Sequence, residues 1–86
     1  MDENAAHAVI DKIIKDVGSC GLYYEIYLYR LTKAVRDYFI DLPPGDQSTF
    51  IFIAEAHYDI HFDNESFEAI KKAEAACWEE IRKDQV

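Results

Sequence analysis

Apolar residues recur every three or four positions near the start of the chain, which is the spacing of one face of an α-helix. In residues 4–17 the apolar residues that recur at this spacing are Ala6, Ile10, Ile13, Ile14 and Val17. Asp2 or Asn4 can cap the start of such a helix, and Gly18 can end it. The pattern therefore predicts a helix over residues 4–17, followed by a turn over residues 18–21.

The same spacing returns near the end of the chain and predicts a second helix over residues 64–83. Its apolar stripe consists of Phe67, Ile70, Ala73, Cys77 and Ile81, with Trp78 beside it. Asn64 is a suitable N-cap, and acidic residues follow in the first turn, where the helix dipole favours negative charge. We expect this stripe to be buried, with Cys77 as a buried free thiol.

Between these helices, residues 50–62 follow a different pattern. Every even position is apolar: Phe50, Phe52, Ala54, Ala56, Tyr58, Ile60 and Phe62. From residue 55 onward the odd positions are polar: Glu55, His57, Asp59, His61 and Asp63. A period of two is typical of a half-buried strand, so the pattern predicts a strand here. Ile51 and Ile53 depart from the pattern and the segment is long for a strand, so we expect a bulge or break near residues 54–57.

Residues 22–42 allow two interpretations. Six residues spaced four and three apart fit one long helix: Tyr24, Leu28, Leu31, Val35, Tyr38 and Leu42. The same stretch is rich in aromatic and β-branched residues, which favours two strands over residues 22–30 and 35–42. The Pro-Pro-Gly-Asp sequence at residues 43–46 is a strong turn signal, as expected between the second of these strands and the next one.

The facing of the side chains favours strands and therefore an α+β fold. In an α-β-β-β-α order, an antiparallel meander would turn one apolar face towards the two helices. Its other face would be exposed and would carry tyrosines and acids. We predict that this face binds a partner through Tyr23, Glu25, Tyr27, Tyr29, Asp37, Asp41, Glu55, Asp59, His61 and Asp63. The alternative fold is an all-α helical bundle, in which this face would not exist.

Charge is distributed very unevenly along the chain. The 17 acidic and 9 basic residues give a net charge of −8. Residues 37–70 contain eight acidic residues and no Lys or Arg, so the rest of the chain is formally neutral. A surface of one sign steers a partner of the opposite sign, and we therefore expect a basic protein as the partner. The same charge opposes direct binding to nucleic acid or to anionic membranes.

The length and composition are those of one small folded domain covering residues 1–86. Half of the residues are apolar, which is too hydrophobic for a disordered acidic tail. Residues 1–17 lack the basic start and apolar run of a signal peptide, and no apolar run is long enough to span a bilayer. Two cysteines are too few for a disulfide scaffold. These observations predict a soluble, cytoplasmic protein.

Signals for metal binding and for catalysis are weak. His57 and His61 lie among acids, and imidazole together with carboxylate can ligate a divalent ion, but no HExxH motif or cysteine pair accompanies them. We therefore expect no metal or other cofactor, and we expect the acids to raise the pKa values of both histidines. Cys20 and His7 could form a catalytic pair, but no group that would orient them is evident, so we do not expect an enzyme.

The function that these features favour is inhibition by a small acidic interaction protein. Such a protein would cover a basic, nucleic-acid-binding surface of a nuclease or of another nucleic-acid-handling complex. The chain resembles phage anti-defence inhibitors, among them anti-CRISPR proteins, and toxin-immunity proteins in size and charge, without sharing a motif with them. Two alternatives stay open: a structural module that forms homodimers or larger homo-oligomers through exposed aromatic residues, and a metal-binding protein.

Overall fold

The chain forms four α-helices in the computed structural model, which describes residues 1–18 and 23–84. The helices are α1 (Glu3–Val17), α2 (Tyr24–Ile40), α3 (Pro44–Tyr58) and α4 (Asn64–Asp84), and no strand occurs in the described residues. The predicted α-β-β-β-α sheet is therefore wrong, and the all-α alternative is correct. The predicted turn after α1 lies, apart from Gly18, outside the described residues. No helix of the described part has the length and hydrophobicity that crossing a membrane requires.

The two helices predicted from helical spacing are confirmed as α1 and α4. Asp2 caps α1, because its Oδ1 accepts the backbone N–H of Ala5 at 2.7 Å. Gly18 ends α1 with a φ of 63°, a left-handed value that glycine adopts without steric cost. The polar residues between the apolar positions of both helices make the period of 3.6 visible in the sequence, so the prediction succeeds there.

α3 replaces the predicted strand over residues 50–62. The side chains that it buries are Phe50, Ile53 and Ala54, which share one face of a helix. Ile53 is at an odd position, which the alternating pattern requires to be polar. Residues 50–54 are apolar at odd and even positions alike, so the pattern did not account for Ile53. Pro44 occupies the first turn of α3, where the N–H that proline lacks has no helical partner anyway. The Pro-Pro-Gly-Asp sequence therefore starts a helix and is not a hairpin turn.

α2 forms where the sequence allowed either one helix or two strands. The helical interpretation is confirmed, since Leu31 and Val35, which lie four residues apart, are buried side by side in the core. The strand propensity of aromatic and β-branched residues largely reflects how well they pack on a half-buried surface. One face of a helix is also such a surface, so these residues are compatible with α2. Tertiary packing therefore overrides the β-propensity of this stretch.

α1, α2 and α3 pack against one another, whereas α4 packs along α2 alone. The core lies between the first three helices and includes one residue of the connection that follows α3. It consists of Ala6, Ile10, Leu31, Val35, Phe50, Ile53, Ala54 and Ile60. The molecule is elongated, with extents of 50 × 26 × 21 Å. The fold is thus a three-helix core with α4 lying against one of its helices.

Residues 59–63 connect α3 to α4 without helical structure, and here the period of two is real. Ile60 is buried, and Phe62 is half-buried against Phe39, with ring centroids 4.9 Å apart. His61 and Asp63, on the odd positions, are exposed. The alternation that predicted a long strand therefore describes only this short connection.

Candidate functional site at the end of α3

The predicted partner-binding face does not exist, because its residues lie on helices and loops and not on a sheet. Tyr23 and Glu25 lie at the start of α2, beside the C-terminal half of α4. Tyr27 and Tyr29 are half-buried on α2, where Tyr29 stacks on Phe67 of α4 with ring centroids 5.7 Å apart. These four residues therefore belong to the packing of α2 and do not form one face with the acids that follow them.

Asp37 and Asp41 lie at the end of α2. Asp37 forms an ion pair with Lys33, with 3.1 Å between Oδ2 and Nζ. Asp41 is the exposed C-cap of α2. An acidic residue at this end of a helix opposes the helix dipole. Asp41 therefore adds negative charge to the surface and does not stabilise α2.

The structure does bring Glu55, Asp59 and His61 together, at the end of α3. The His61 ring lies between the two carboxylates, with Nε2 2.9 Å from Oδ1 of Asp59 and Nδ1 3.5 Å from Oε2 of Glu55. The hydrogen bond to Asp59 is the main cause that raises the pKa of His61, and Glu55 adds to the rise. The predicted rise is confirmed for this histidine.

Asp59 ends α3 in the left-handed conformation, with φ 56° and ψ 36°. Asp and Asn adopt this region more readily than most other residues with a side chain. The bend directs the next residue, Ile60, into the core, where its N–H donates to the carbonyl of Ala54 at 3.1 Å. Because the backbone fixes this position, Asn is the substitution that removes the charge of Asp59 with the least structural change.

Asp63 is the N-cap of α4, a role that the sequence had suggested for Asn64. Its Oδ2 accepts the backbone N–H of Ser66 at 2.8 Å, and this hydrogen bond lowers the pKa of Asp63. Asn64 instead accepts a hydrogen bond through Oδ1 from the guanidinium of Arg36 at 3.2 Å. The carboxylate of Asp63 is charged at neutral pH, but α4 already engages it.

Phe52 is an exposed aromatic residue that the alternating pattern assigned to the buried face. Its side chain is 57% exposed. It borders a shallow depression that it shares with Met1, Asp2 and Glu3 at the start of α1. Glu55 follows Phe52 by three residues and therefore lies on the same side of α3. Helical spacing around Glu55 was the signal that could have identified this residue.

We define the acidic surface as Asp2, Glu3, Phe52, Glu55, Asp59 and His61. Of the eight acidic residues within residues 37–70, Asp37 is the only one whose carboxylate pairs with a Lys or Arg in the described part of the chain, and the carboxylate of Asp46 pairs with the N-terminal ammonium at 2.6 Å. By contrast, Glu79 and Glu80 near the end of α4 pair with Arg82 and Lys83. At the end of α3, the carboxylates of Glu55 and Asp59 therefore have His61, and no Lys or Arg, as their ion-pair partner within the described residues.

His57, the other weak metal candidate, has a different environment from His61. Its ring contacts the ring of His7 edge-on, with centroids 4.8 Å apart. The neighbouring Tyr58 donates a hydrogen bond to Oδ1 of Asp11 at 2.7 Å, and its hydroxyl lies 3.0 Å from Nδ1 of His7. These side chains tie α1 to the end of α3. Within residues 1–18 and 23–84, no group of three or more His, Cys, Asp or Glu side chains is arranged to hold a metal ion.

The two cysteines give no support to a catalytic pair. Cys20 lies outside the described residues, so the pairing with His7 that was considered and not expected has no structural description. Cys77 is half-buried between α2 and α4 and not fully buried as predicted. Its partial burial and the neighbouring Glu25 raise the pKa of the Cys77 thiol, which disfavours the reactive thiolate.

Comparison with known proteins gives no guide to function. No known protein family matches the chain, and no curated protein and no solved structure shows significant similarity to it. A functional assignment for this chain therefore depends on the geometry and charge of the acidic surface.

Proposed function

We propose that the protein is a small, non-enzymatic interaction protein that inhibits a partner by covering its basic, nucleic-acid-binding surface. The negative charge at the end of α3 is the observation that carries the proposal, because Glu55 and Asp59 are exposed and their ion-pair partner within the described residues is His61 and not a Lys or Arg. Such a surface attracts a partner of opposite sign. When Glu55 and Asp59 bind Lys or Arg side chains of the partner, they exchange their contacts with the exposed His61 ring for new charge-assisted hydrogen bonds.

Phe52 supplies an apolar anchor within this charged surface. Aromatic side chains that are buried on binding, and are surrounded by polar groups, contribute much of the affinity of protein interfaces. Phe52 is 57% exposed and lies between the acids at the start of α1 and those at the end of α3. We expect its burial to contribute on the order of 1–2 kcal/mol, while the carboxylates govern the rate and orientation of docking.

The charge also indicates which kind of partner fits. Nucleic-acid-binding surfaces present Lys and Arg side chains to phosphates, and carboxylates can accept the same hydrogen bonds. A net charge of −8 repels nucleic acid itself, so the protein competes with nucleic acid for the partner and does not bind it. This mechanism requires a cytoplasmic partner that binds nucleic acid, such as a nuclease or another nucleic-acid-handling complex.

Affinity capture from a lysate of the source organism, at low and at high salt, tests the proposal. We expect recovery of a basic nucleic-acid-handling protein at low salt, and depletion at high salt because salt screens exposed charges. The purified partner should then release its nucleic acid as the chain is added. Recovery of the chain alone, or a partner whose nucleic-acid binding does not change, would contradict the proposal.

Two charge-matched double variants locate the binding surface. Glu55→Gln with Asp59→Asn removes two charges from the acidic surface and preserves the left-handed turn at residue 59. Asp16→Asn with Glu79→Gln removes two charges from exposed positions on α1 and α4. We expect the first variant to weaken partner binding by roughly tenfold or more, and the second by only roughly twofold. Equal effects would show that binding uses another surface.

A further inference from the structure

α4 is the least buried helix of the molecule, although its sequence is typical of a packed helix. None of its side chains is fully buried, whereas α1, α2 and α3 each bury at least two residues. The apolar stripe that was predicted to be buried is half-buried or exposed: Phe67, Ile70, Ala73, Cys77 and Ile81. That prediction is wrong because α2 is the only helix that packs against α4 within the described residues.

A groove runs between α2 and α4 along the uncovered side of this stripe. It consists of two adjoining depressions of about 470 and 320 Å³, both bordered by Glu25 and Ala73. The α4 side of the groove extends from Ala69 to Asp84, a length of about 24 Å. Alanines at residues 69, 73 and 76 line it, and such small side chains let another helix approach closely. The groove therefore has the length and the apolar floor to receive a helix of about four turns.

The charged residues that line the groove are all acidic. They are Glu25, Glu80 and Asp84, and none of the seven Lys and Arg residues of α2 and α4 borders either depression. Glu80 pairs with Lys83 at 3.5 Å, whereas Glu25 and Asp84 pair with no Lys or Arg of the described residues. Two carboxylates at the edge of the groove therefore carry charge that Lys or Arg side chains of a partner can neutralise.

The end of α4 adds to this negative potential. The last carbonyls of a helix have no helical partner and form the negative end of its dipole, so a carboxylate is unfavourable there. Asp84 is the last residue of α4, and Glu80 lies one turn before it. The two bases of this turn, Arg82 and Lys83, already pair with Glu79 and Glu80. A cation from a partner would therefore be stabilised at this end of the groove.

Two exposed tyrosines border the same groove. Tyr23 and Tyr24, at the start of α2, are 54% and 67% exposed. A tyrosine ring attracts Lys and Arg to its face, and it offers an apolar body together with a polar tip. Tyrosine is for these reasons enriched in protein interfaces. The edge of the groove thus combines carboxylates and aromatic rings, both of which favour a basic partner.

We propose that this groove binds a basic, amphipathic α-helix of a partner protein. Apolar side chains three and four residues apart on that helix would cover the uncovered stripe of α4. Lys and Arg side chains beside them would reach the carboxylates of Glu25 and Asp84 and the rings of Tyr23 and Tyr24. The arrangement satisfies the apolar surface and the negative charge of the groove with one ligand.

The charge of the groove disfavours the other occupants. A second copy of the chain, bound through the same face, would bring the acids of one groove against those of the other. An anionic membrane surface would be repelled by the same carboxylates. No residue of the acidic surface lines the groove, so this inference does not rest on the proposed inhibitory function.

Calorimetry of the full chain with a designed peptide tests the proposal. The probe has about 16 residues, with Leu at the positions of one helical face and Lys elsewhere. One control peptide has the same composition in an order without helical periodicity, and a second has Glu in place of every Lys. We expect the Lys probe to bind with a micromolar dissociation constant and to gain helicity by circular dichroism. Both control peptides should bind at least about tenfold more weakly.

Two pairs of variants locate the bound peptide. Ala73→Arg places a bulky cation in the groove at an exposed position, so the fold should survive, and Ala75→Arg is the matched control at an exposed position of α4 outside the groove. We expect the first change to weaken binding by about tenfold or more and the second by about twofold or less.

The second pair of variants removes charge without adding bulk. Glu25→Gln with Asp84→Asn removes two acids that line the groove and should weaken binding of the Lys probe by about fivefold. Glu55→Gln with Asp59→Asn removes the same charge from the acidic surface and should weaken it by about twofold or less. Circular dichroism of each variant checks that the helices are intact.

Each outcome decides the proposal. Binding that is selective for the helical Lys probe, and that both groove variants weaken more than their controls do, supports it. Equal binding of the peptide without helical periodicity overturns it, because attraction between charges alone would explain that result. The absence of binding at about 100 µM probe also overturns it.

Two further outcomes would assign the groove or the probe elsewhere and overturn the proposal. If Glu55→Gln with Asp59→Asn has the larger effect, the probe occupies the acidic surface, a result that leaves the proposed function intact. If the wild type sediments as a dimer that Ala73→Arg dissociates and Ala75→Arg does not, a second copy occupies the groove. Weak capture of a basic protein by the acidic surface would contradict the proposed function and leave this proposal unchanged.

Discussion

At the scale of single residues, Tyr58 connects the end of α3 to α1. Its hydroxyl donates to Asp11 at 2.7 Å and lies 3.0 Å from Nδ1 of His7. We expect Tyr58→Phe to lower the free energy of unfolding by about 1 kcal/mol, because His7 and Asp11 lose a hydrogen-bond partner in a half-buried position. Urea unfolding measures the change. Tyr24→Phe is the control and should have no effect, since the Tyr24 side chain is 67% exposed.

The same residue predicts how alkaline pH affects stability. Burial and the neighbouring Asp11 raise the pKa of Tyr58 to about 12. In the unfolded chain a tyrosine ionises near its ordinary pKa of about 10. The stabilisation from the neutral Tyr58 is therefore complete below about pH 10 and is lost as the pH rises towards about 12. The Tyr58→Phe variant should consequently lose less stability than the wild type over this range, and an equal loss would speak against the assignment.

At the scale of helices, the success of sequence-based prediction depends on whether polar residues separate the apolar ones. α1 and α4 alternate apolar and charged positions with a period of 3.6, so their bounds were predicted to within one residue. In α3 four apolar residues follow one another from Phe50 to Ile53, and both a period of two and a period of 3.6 fit such a run. The sequence of this run does not show that Phe50, Ile53 and Ala54 are the buried residues. Their burial depends on packing against α1 and α2, which are distant in sequence.

The candidate site was predicted in part, and for a reason that proved wrong. Glu55, Asp59 and His61 were grouped as alternate residues of one strand. In the structure, a helical turn joins the first two and the left-handed bend at Asp59 returns His61 to them. Phe52 was missed because the alternating pattern assigned it to the buried face of a strand, whereas on α3 it is exposed on the same side as Glu55. Within the described residues α4 packs against α2 alone, which its sequence did not indicate, because its apolar stripe resembles that of a buried helix.

The connection between α3 and α4 depends on one arginine of α2. The guanidinium of Arg36 donates to the carbonyl of Phe62 at 3.1 Å and to Oδ1 of Asn64 at 3.2 Å, and its Cζ lies 4.3 Å from the ring centroid of Phe67. Lysine cannot reproduce this forked, stacked geometry. We expect Arg36→Lys to lower the free energy of unfolding by about 1–2 kcal/mol, as measured by chemical denaturation.

Arg30→Lys is the matched control for this change. Arg30 is also on α2, but it is exposed and forms no hydrogen bond or ion pair with another described residue. Its substitution should leave stability within about 0.5 kcal/mol of the wild type. If both variants were equally stable, Arg36 would not be the residue that holds the start of α4 to α2.

At the scale of the whole molecule, the acidic surface and the most open apolar surface lie on different helices. The acidic surface belongs to α1, α3 and the connection after α3, whereas the open apolar surface lies between α2 and α4. The charged side chains that border this apolar surface are Glu25, Glu80 and Asp84. Negative charge at both surfaces attracts a basic partner and opposes self-association.

His61 makes the acidic surface sensitive to pH near neutrality. Glu55 and Asp59 contact its ring, and Asp63 is near enough for the charge of the ring to contribute to the lowered pKa of Asp63. Because Asp59 and Glu55 raise the pKa of His61 above its ordinary value of 6.5, the protonated ring offsets part of the negative charge at mildly acidic pH. As the pH rises through this raised pKa the ring loses its proton, and the surface becomes more negative.

Binding and stability should therefore change in opposite directions as the pH rises from about 5.5 to 8. Affinity for a basic probe such as an oligolysine peptide, measured by calorimetry, should increase by roughly two- to fivefold, because the surface loses a positive charge. The stabilisation that the protonated His61 contributes is present below its ordinary pKa of 6.5 and is lost through its raised pKa, so thermal stability should fall over the same range. His61→Gln should flatten both trends, while His57→Gln should preserve them. An affinity that does not change with pH in the wild type would exclude His61 from the binding surface.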